Sequence, residues 1–263
     1  MNKVRLPVHF LLLFYAKSFL SFAFGGETCV RCGESTALLP ICKKCEKILE
    51  KRSFDSAGKC AKCGKHILLK KSPDFICYAC KEKPKFEAVD RLFPLWTYRV
   101  WRKRLIFLWK IKGLRSLSIL FARLIEQKIR EMETELGIKA GEGVVIPVPP
   151  RPGKIRAQGY DQIEDISRLL FGAFHRKICR VLKRLSKVQK KKQSRVERIS
   201  SAGKNYCSLS HKKIAREFGG TIPESVFLID DVVTTGSTIE ECASILKSFG
   251  VKRVFAISLC CVE

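Results

Sequence analysis

Two patterns in this chain bring together residues able to do chemistry. The first is the stretch from Val226 to Thr238. Four apolar residues, Val226 to Ile229, suit a buried parallel strand, and they end abruptly in Asp230 and Asp231, charges that such a strand can carry only at its carboxyl end. Val233, Thr234, Thr235, Gly236, Ser237 and Thr238 follow, offering hydroxyls and backbone N–H groups, with glycine where a tight loop needs positive φ or close approach. Ile239, Cys242, Ala243, Leu246 and Phe249 then fall at helical spacing, with Ser237 and Glu240 reading as a capping box and Gly250 as a stop. A loop feeding a helix N-terminus is an anion site, and phosphate is the anion it suits best.

The second pattern is cysteine. Eight of the thirteen cysteines form four C-x-x-C pairs in two copies: Cys29, Cys32, Cys42 and Cys45, then Cys60, Cys63, Cys77 and Cys80. In each copy C-x-x-C-G is answered by I-C-x-x-C, across a gap of nine residues in the first and thirteen in the second. Four thiolates per copy suit one tetrahedral zinc, closed to substrate and therefore structural, so two Zn2+ ions are expected. Sequential filling within each copy is the preferred pairing, and an interleaved pairing uses the same ligands. Lys43, Lys44, Lys47, Lys51, Arg52, Lys59, Lys62 and Lys65 give this module a basic face, for a partner or for solvent.

The elements that must position these groups read as an α/β domain with a parallel sheet flanked by helices. Residues 86–263 supply it, after a cysteine-rich module over 27–85 and a hydrophobic or amphipathic segment over 1–26. Leu95 to Tyr98 reads as a strand, Trp101 to Lys112 as a basic helical stretch, and Leu114 to Met132 as an amphipathic helix. Trp101 and Trp109 suit either a core or stacking on bases. A short strand from Gly143 stops in prolines, and a helix built on Ile163, Ile166, Leu169 and Leu170 follows. Arg253 to Cys260 reads as the last strand.

Composition narrows the class. A 263-residue chain with 46% hydrophobic residues is globular, and 51 Lys plus Arg against 25 Asp plus Glu leave +26, a balance that attracts nucleic acid, acidic lipid or polyphosphate. Metal-spaced cysteines point to a reducing, cytoplasmic setting. The apolar stretch from Leu6 to Phe24 is interrupted by Pro7, His9 and Lys17, so it reads as a docking helix near 8–24, able to touch a membrane through residues 6–24 without spanning it. No G-x-x-x-x-G-K-[ST] is present, which excludes a P-loop motor.

The Val226 to Thr238 pattern resembles the phosphoribosyl pyrophosphate (PRPP) motif of type I phosphoribosyltransferases. The resemblance implies that fold for the sheet, and it makes Asp230 and Asp231 the catalytic acids on the ribose hydroxyls. It places Val233, Thr234, Thr235, Gly236, Ser237 and Thr238 around the 5′-phosphate, with Mg2+ accompanying PRPP. The loop after Pro147-Val-Pro149 then offers Arg151, Lys154 and Arg156 to the pyrophosphate. Pro147, Pro149, Arg151, Arg156, Gln158-Gly-Tyr160 and Gln162, together with the leader and the C-x-x-C knuckles, resemble the ComF family of competence-type phosphoribosyltransferase-like proteins over nearly the whole chain. Gln158 and Asp161 stand where that family carries Arg and Asn.

Arg176 to Lys204, with twelve Lys or Arg against the single acid Glu197, corresponds to that family's mobile hood loop. It reads as a lid over PRPP or as an arm tracking single-stranded DNA through Lys187, Lys190, Lys191, Lys192, Arg195 and Arg198. The resemblance implies a PRPP-binding protein of DNA uptake and natural transformation that handles single-stranded DNA. The alternatives are an active phosphoribosyltransferase of nucleotide or base metabolism, and a scaffold for a helicase or channel of the uptake machinery. No stretch reads as a nucleobase pocket or as a general base, so the acceptor stays open.

Overall fold

A computed structural model describes residues 27–36, 39–53, 58–67, 75–98, 100–185 and 205–262. The helix expected near 8–24 lies outside them, as do the six basic residues from Lys187 to Arg198. The core of the protein is a sheet of four parallel strands: β3 (Arg91–Thr97), β4 (Val144–Pro147), β7 (Ser225–Val233) and β8 (Arg253–Cys261), in the order β3-β8-β7-β4. Two short antiparallel pairs complete the strands, β1 (Glu27–Thr28) with β2 (Ser35–Thr36) and β5 (Leu182–Arg184) with β6 (Tyr206–Ser208). Among the described residues no helix is long and apolar enough to cross a membrane.

Side chains alternate between the two faces of the sheet, and each face has its own core. Val145, Phe227, Ile229, Phe255, Ile257 and Leu259 pack beneath α3 (Val100–Lys110), α4 (Leu117–Leu136) and α6 (Gln162–Phe174). Val144, Ile146, Val226, Leu228, Val254 and Ala256 pack on the other side, against α8 (Ser237–Ser248) and the β5-β6 pair with α7 (His211–Phe218). Near-continuous apolar strands follow from this burial on both faces.

Packing corrects two local readings, at β3 and Arg176, and decides a third, at Trp109. β3 starts at Arg91 rather than Leu95, with Pro94 inside it. Proline is tolerated because β3 is an edge strand paired only with β8, so its missing N–H breaks no ladder. Trp109 is fully buried, donates to Ser118 Oγ at 2.8 Å and meets Phe121 edge-on at 4.9 Å, so it belongs to the core and is closed to bases. Arg176 is buried between Glu126 and Glu133 of α4, with Nε 2.7 Å from Glu126, and is therefore part of the core rather than of a mobile loop.

The cysteine module is tied to the sheet by α1 (Lys43–Ser53), whose Glu46 and Glu50 both pair with Arg123 of α4, and by two lysines. Lys59 donates to the carbonyls of Pro94 and Leu95 at 3.0 and 3.3 Å, and Lys62 to that of Val89 at 2.7 Å. These two lysines hold the module to β3 and the chain before it instead of facing a partner. Gly64, at φ +67°, lies so close to the edge strand that a Cβ there would sit 2.3 Å from Cδ of Pro94.

Candidate functional site

The crevice forms where two adjacent strands send their chains to opposite faces. β4 and β7 are hydrogen-bonded neighbours from Val144–Val226 to Pro147–Ile229, and Val148 N–H extends the ladder to Ile229 O at 3.0 Å. There β4 ends and its chain leads through α5 (Lys154–Gln158) to α6 on one face, while β7 leads to α8 on the other. Such a switch point at the carboxyl ends of parallel strands is where open α/β sheets bind ligands. β7 also runs beyond β4, paired through Asp230, Val232 and Val233 with β8 alone. Asp230 and Asp231 thus belong to the strand, beyond the expected Val226 to Ile229.

Alternation turns the two acids toward different faces. Asp231 meets α3, with its Oδ2 2.7 Å from Lys110 Nζ. Asp230 takes the α8 side, near Tyr206 and Cys242. Burial first, and the charge of Asp231 second, push the Asp230 carboxyl up to about 7, against the Asp231 N–H and the Lys110 ammonium, which pull it down. At neutral pH Asp230 can therefore both donate to and accept from a hydroxyl, beside an acid held by an ammonium. That pairing of properties suits a vicinal diol.

Gly236 carries the chain from β7 into α8 at φ +86° and is the N-cap residue, so the expected capping box is absent. Thr235 and Ser237 share a hydrogen bond of 3.1 Å at the exposed loop, where Thr234 is exposed too. Val233 is buried and Thr238 half-buried against Tyr206. Glu240, freed from capping, accepts the N–H groups of Glu87, Ala88 and Val89 at 2.8, 2.7 and 3.1 Å. It ties the first turn of α8 to the chain leaving the cysteine module. The first turn of this twelve-residue helix begins at Ser237, four residues after β7 ends at Val233, with N–H donors that have no acceptor within the helix.

On the β4 side, Pro149 and Lys154 are half-buried and Arg151 and Arg156 exposed. Lys154 is committed: its ammonium lies 2.6 Å from Asp161 Oδ2 and also meets Gln162 Oε1. Asp161 caps α6 as well, accepting from Ile163 and Glu164 at 3.0 and 3.0 Å. An aspartate at this position therefore serves the helix start and orders Lys154. Gln162 continues the chain of contacts by donating to the Lys110 carbonyl at 3.2 Å.

No protein-family model and no curated protein matches this chain. Sequence reasoning brought forward Asp230, Asp231 and the Thr/Gly loop, and the structure sets them at one strand end. It did not bring forward Lys110 or Tyr206 as site residues, because each arrives from a distant element and neither sits in a motif.

Both cysteine groups close within their own copies, which decides for the sequential pairing. Cys29, Cys32, Cys42 and Cys45 form one group and Cys60, Cys63, Cys77 and Cys80 the other, with all sulfurs of a group within 4.8 Å of one another. The Cys32–Cys42 and Cys63–Cys77 sulfurs are 3.7 and 3.9 Å apart. A tetrahedral ion with Zn–S bonds of about 2.3 Å requires sulfurs about 3.8 Å apart. The duplication extends to the hydrogen bonds. Burial raises the Cys29 thiol, but N–H groups of Cys32, Cys42 and Arg31 outweigh it and bring the pKa to about 6. At Cys60 the corresponding donors Cys63, Cys77 and Lys62 bring it to about 7 against the same burial. None of the thirteen cysteines is in a disulfide.

Proposed function

We propose that the crevice between β4 and β7 binds PRPP, in the manner of type I phosphoribosyltransferases, within a ComF-like protein that carries two structural zinc ions. The observation that carries this reading is the extension of β7 past β4, which sets Asp230 and Asp231 beside the N-terminus of α8 at a switch point. The acids take the ribose hydroxyls, and the first turn of α8 with Thr234, Thr235, Ser237 and Thr238 takes the 5′-phosphate.

Phosphoribosyl transfer breaks the bond from C1 of the ribose to the pyrophosphate through a cationic sugar-like transition state. Asp230 and Asp231 oppose that charge and hold the ring. Their carboxylates are also the hard oxygen ligands on hand for Mg2+, which when bound supplies charge neutralisation on the pyrophosphate. The acceptor is undefined, and binding without turnover fits the same geometry.

A role in DNA uptake is what the ComF resemblance implies, and contact with single-stranded DNA is supported by the net charge of +26 and by the basic run through Lys187, Lys190, Lys191, Lys192, Arg195 and Arg198. The primary test is thermal stabilisation. PRPP with Mg2+ should raise the melting temperature in a dose-dependent way, and no shift at millimolar PRPP contradicts the reading. Pyrophosphate release across nucleobase and nucleic-acid acceptors then separates enzyme from sensor. Fluorescence polarisation with single-stranded DNA over a salt series examines the DNA role, which fails if no binding occurs at low salt.

A further inference from the structure

We infer that Lys110 is the cation that meets the 1-pyrophosphate of PRPP, an inference that rests on the PRPP reading of the crevice. The loop after β4 supplies three basic residues of its own. Lys154 is held by Asp161 and Gln162, while Arg151 and Arg156 are exposed, Arg156 on the five-residue helix α5. Lys110 comes from the opposite direction, at the last turn of α3, and its ammonium lies 2.7 Å from Asp231.

The chemistry of the ligand makes this position informative. In PRPP the pyrophosphate is on C1, adjacent to the C2 hydroxyl, so a cation beside the carboxylate that takes the diol is also beside the leaving group. Lys110 is 31% exposed against 17% for Asp231, so the lysine side chain is the more accessible of the pair. Its backbone is fixed meanwhile, because the Lys110 carbonyl accepts from Gln162 at 3.2 Å. Lysine suits such a shared duty, since a compact ammonium on a flexible stem can exchange one oxygen partner for another. Without ligand it balances Asp231. With PRPP bound it pairs with a pyrophosphate oxygen as the diol takes its place on the acid.

The test compares two probes that differ only at C1, PRPP with Mg2+ and ribose 5-phosphate, on the full chain by calorimetry. Lys110→Met keeps the apolar stem and removes the charge. It is expected to weaken PRPP by roughly tenfold or more, the scale of one charge-assisted contact, and to leave ribose 5-phosphate within about twofold. Lys110→Arg restores the charge and should bring PRPP back to within about threefold of wild type, which separates loss of charge from local misfolding. An equal loss for both probes overturns the inference, leaving Lys110 as a prop for Asp231, and so does no loss for either. Wild-type protein that binds neither probe overturns the PRPP reading itself.

Discussion

Gly236 and Phe86 are in mutual van der Waals contact: a Cβ on Gly236 would lie 2.3 Å from Cε1 and 2.6 Å from Cζ of the Phe86 ring. Phe86, buried ahead of β3, therefore dictates glycine at the entrance to α8. Gly236→Ala is expected to cost about 2–5 kcal/mol, from a left-handed backbone and an overfilled core together. Denaturant unfolding should also show a smaller cost in a Phe86→Ala background, where the clash is gone and only the backbone penalty remains. Equal costs in both backgrounds contradict the contact.

Glu240 is expected to act through structure. Glu240→Ala leaves three N–H groups without their acceptor, one of them on the fully buried Val89, and should destabilise by about 2–3 kcal/mol. Glu240→Gln keeps one oxygen acceptor and should lose less. Chemical denaturation of the two variants measures the difference, and equal stability of all three proteins contradicts the role.

Metal content tests the cysteine groups. Purified protein is expected to hold about two zinc ions, one per group, and Cys45→Ser or Cys80→Ser about one each. Loss of both ions from either single variant would mean that the groups are not independent. Chelation should loosen the attachment to β3, read by proteolysis, since Lys59 and Lys62 beside the second group make the contacts.

The acid pair gives stability a pH dependence of defined sign. The folded Asp230 carboxyl titrates near 7, above its ordinary value of 3.8, so between those pH values the folded protein binds more protons than the unfolded chain. Its contribution is present at low pH and is lost as pH rises through about 7. Asp230→Asn removes the ionisation and should raise the melting temperature relative to wild type at pH 8 more than at pH 5. The reverse order contradicts the burial and repulsion assigned to this carboxyl.

Much of this is readable from local pattern. The apolar run before Asp230, the glycine at 236, the helix after it and the eight knuckle cysteines all reflect short-range rules, and the structure keeps each in place. What local pattern does not reveal is long-range pairing. Ser237 and Glu240 have capping-box spacing, but Glu240 serves three N–H groups that lie 151 to 153 residues earlier in the chain instead. Arg176 opens a basic run in the sequence and is buried on two glutamates of α4. Trp109 sits among cations in the sequence and is sealed in the core. Lys110, four residues after the buried Ile106, shows its importance only when α3 is folded over β7 and its ammonium meets Asp231.

Calorimetric titration of PRPP with Mg2+ into wild-type protein and into the Asp230→Asn, Asp231→Asn double variant decides whether the crevice is a PRPP site. Binding by wild type and a loss of tenfold or more in the double variant is the expected result, since each neutralised acid forfeits a charge-assisted contact to a ribose hydroxyl. Unchanged PRPP affinity in a double variant that remains folded contradicts the assignment of Asp230 and Asp231 to the ribose.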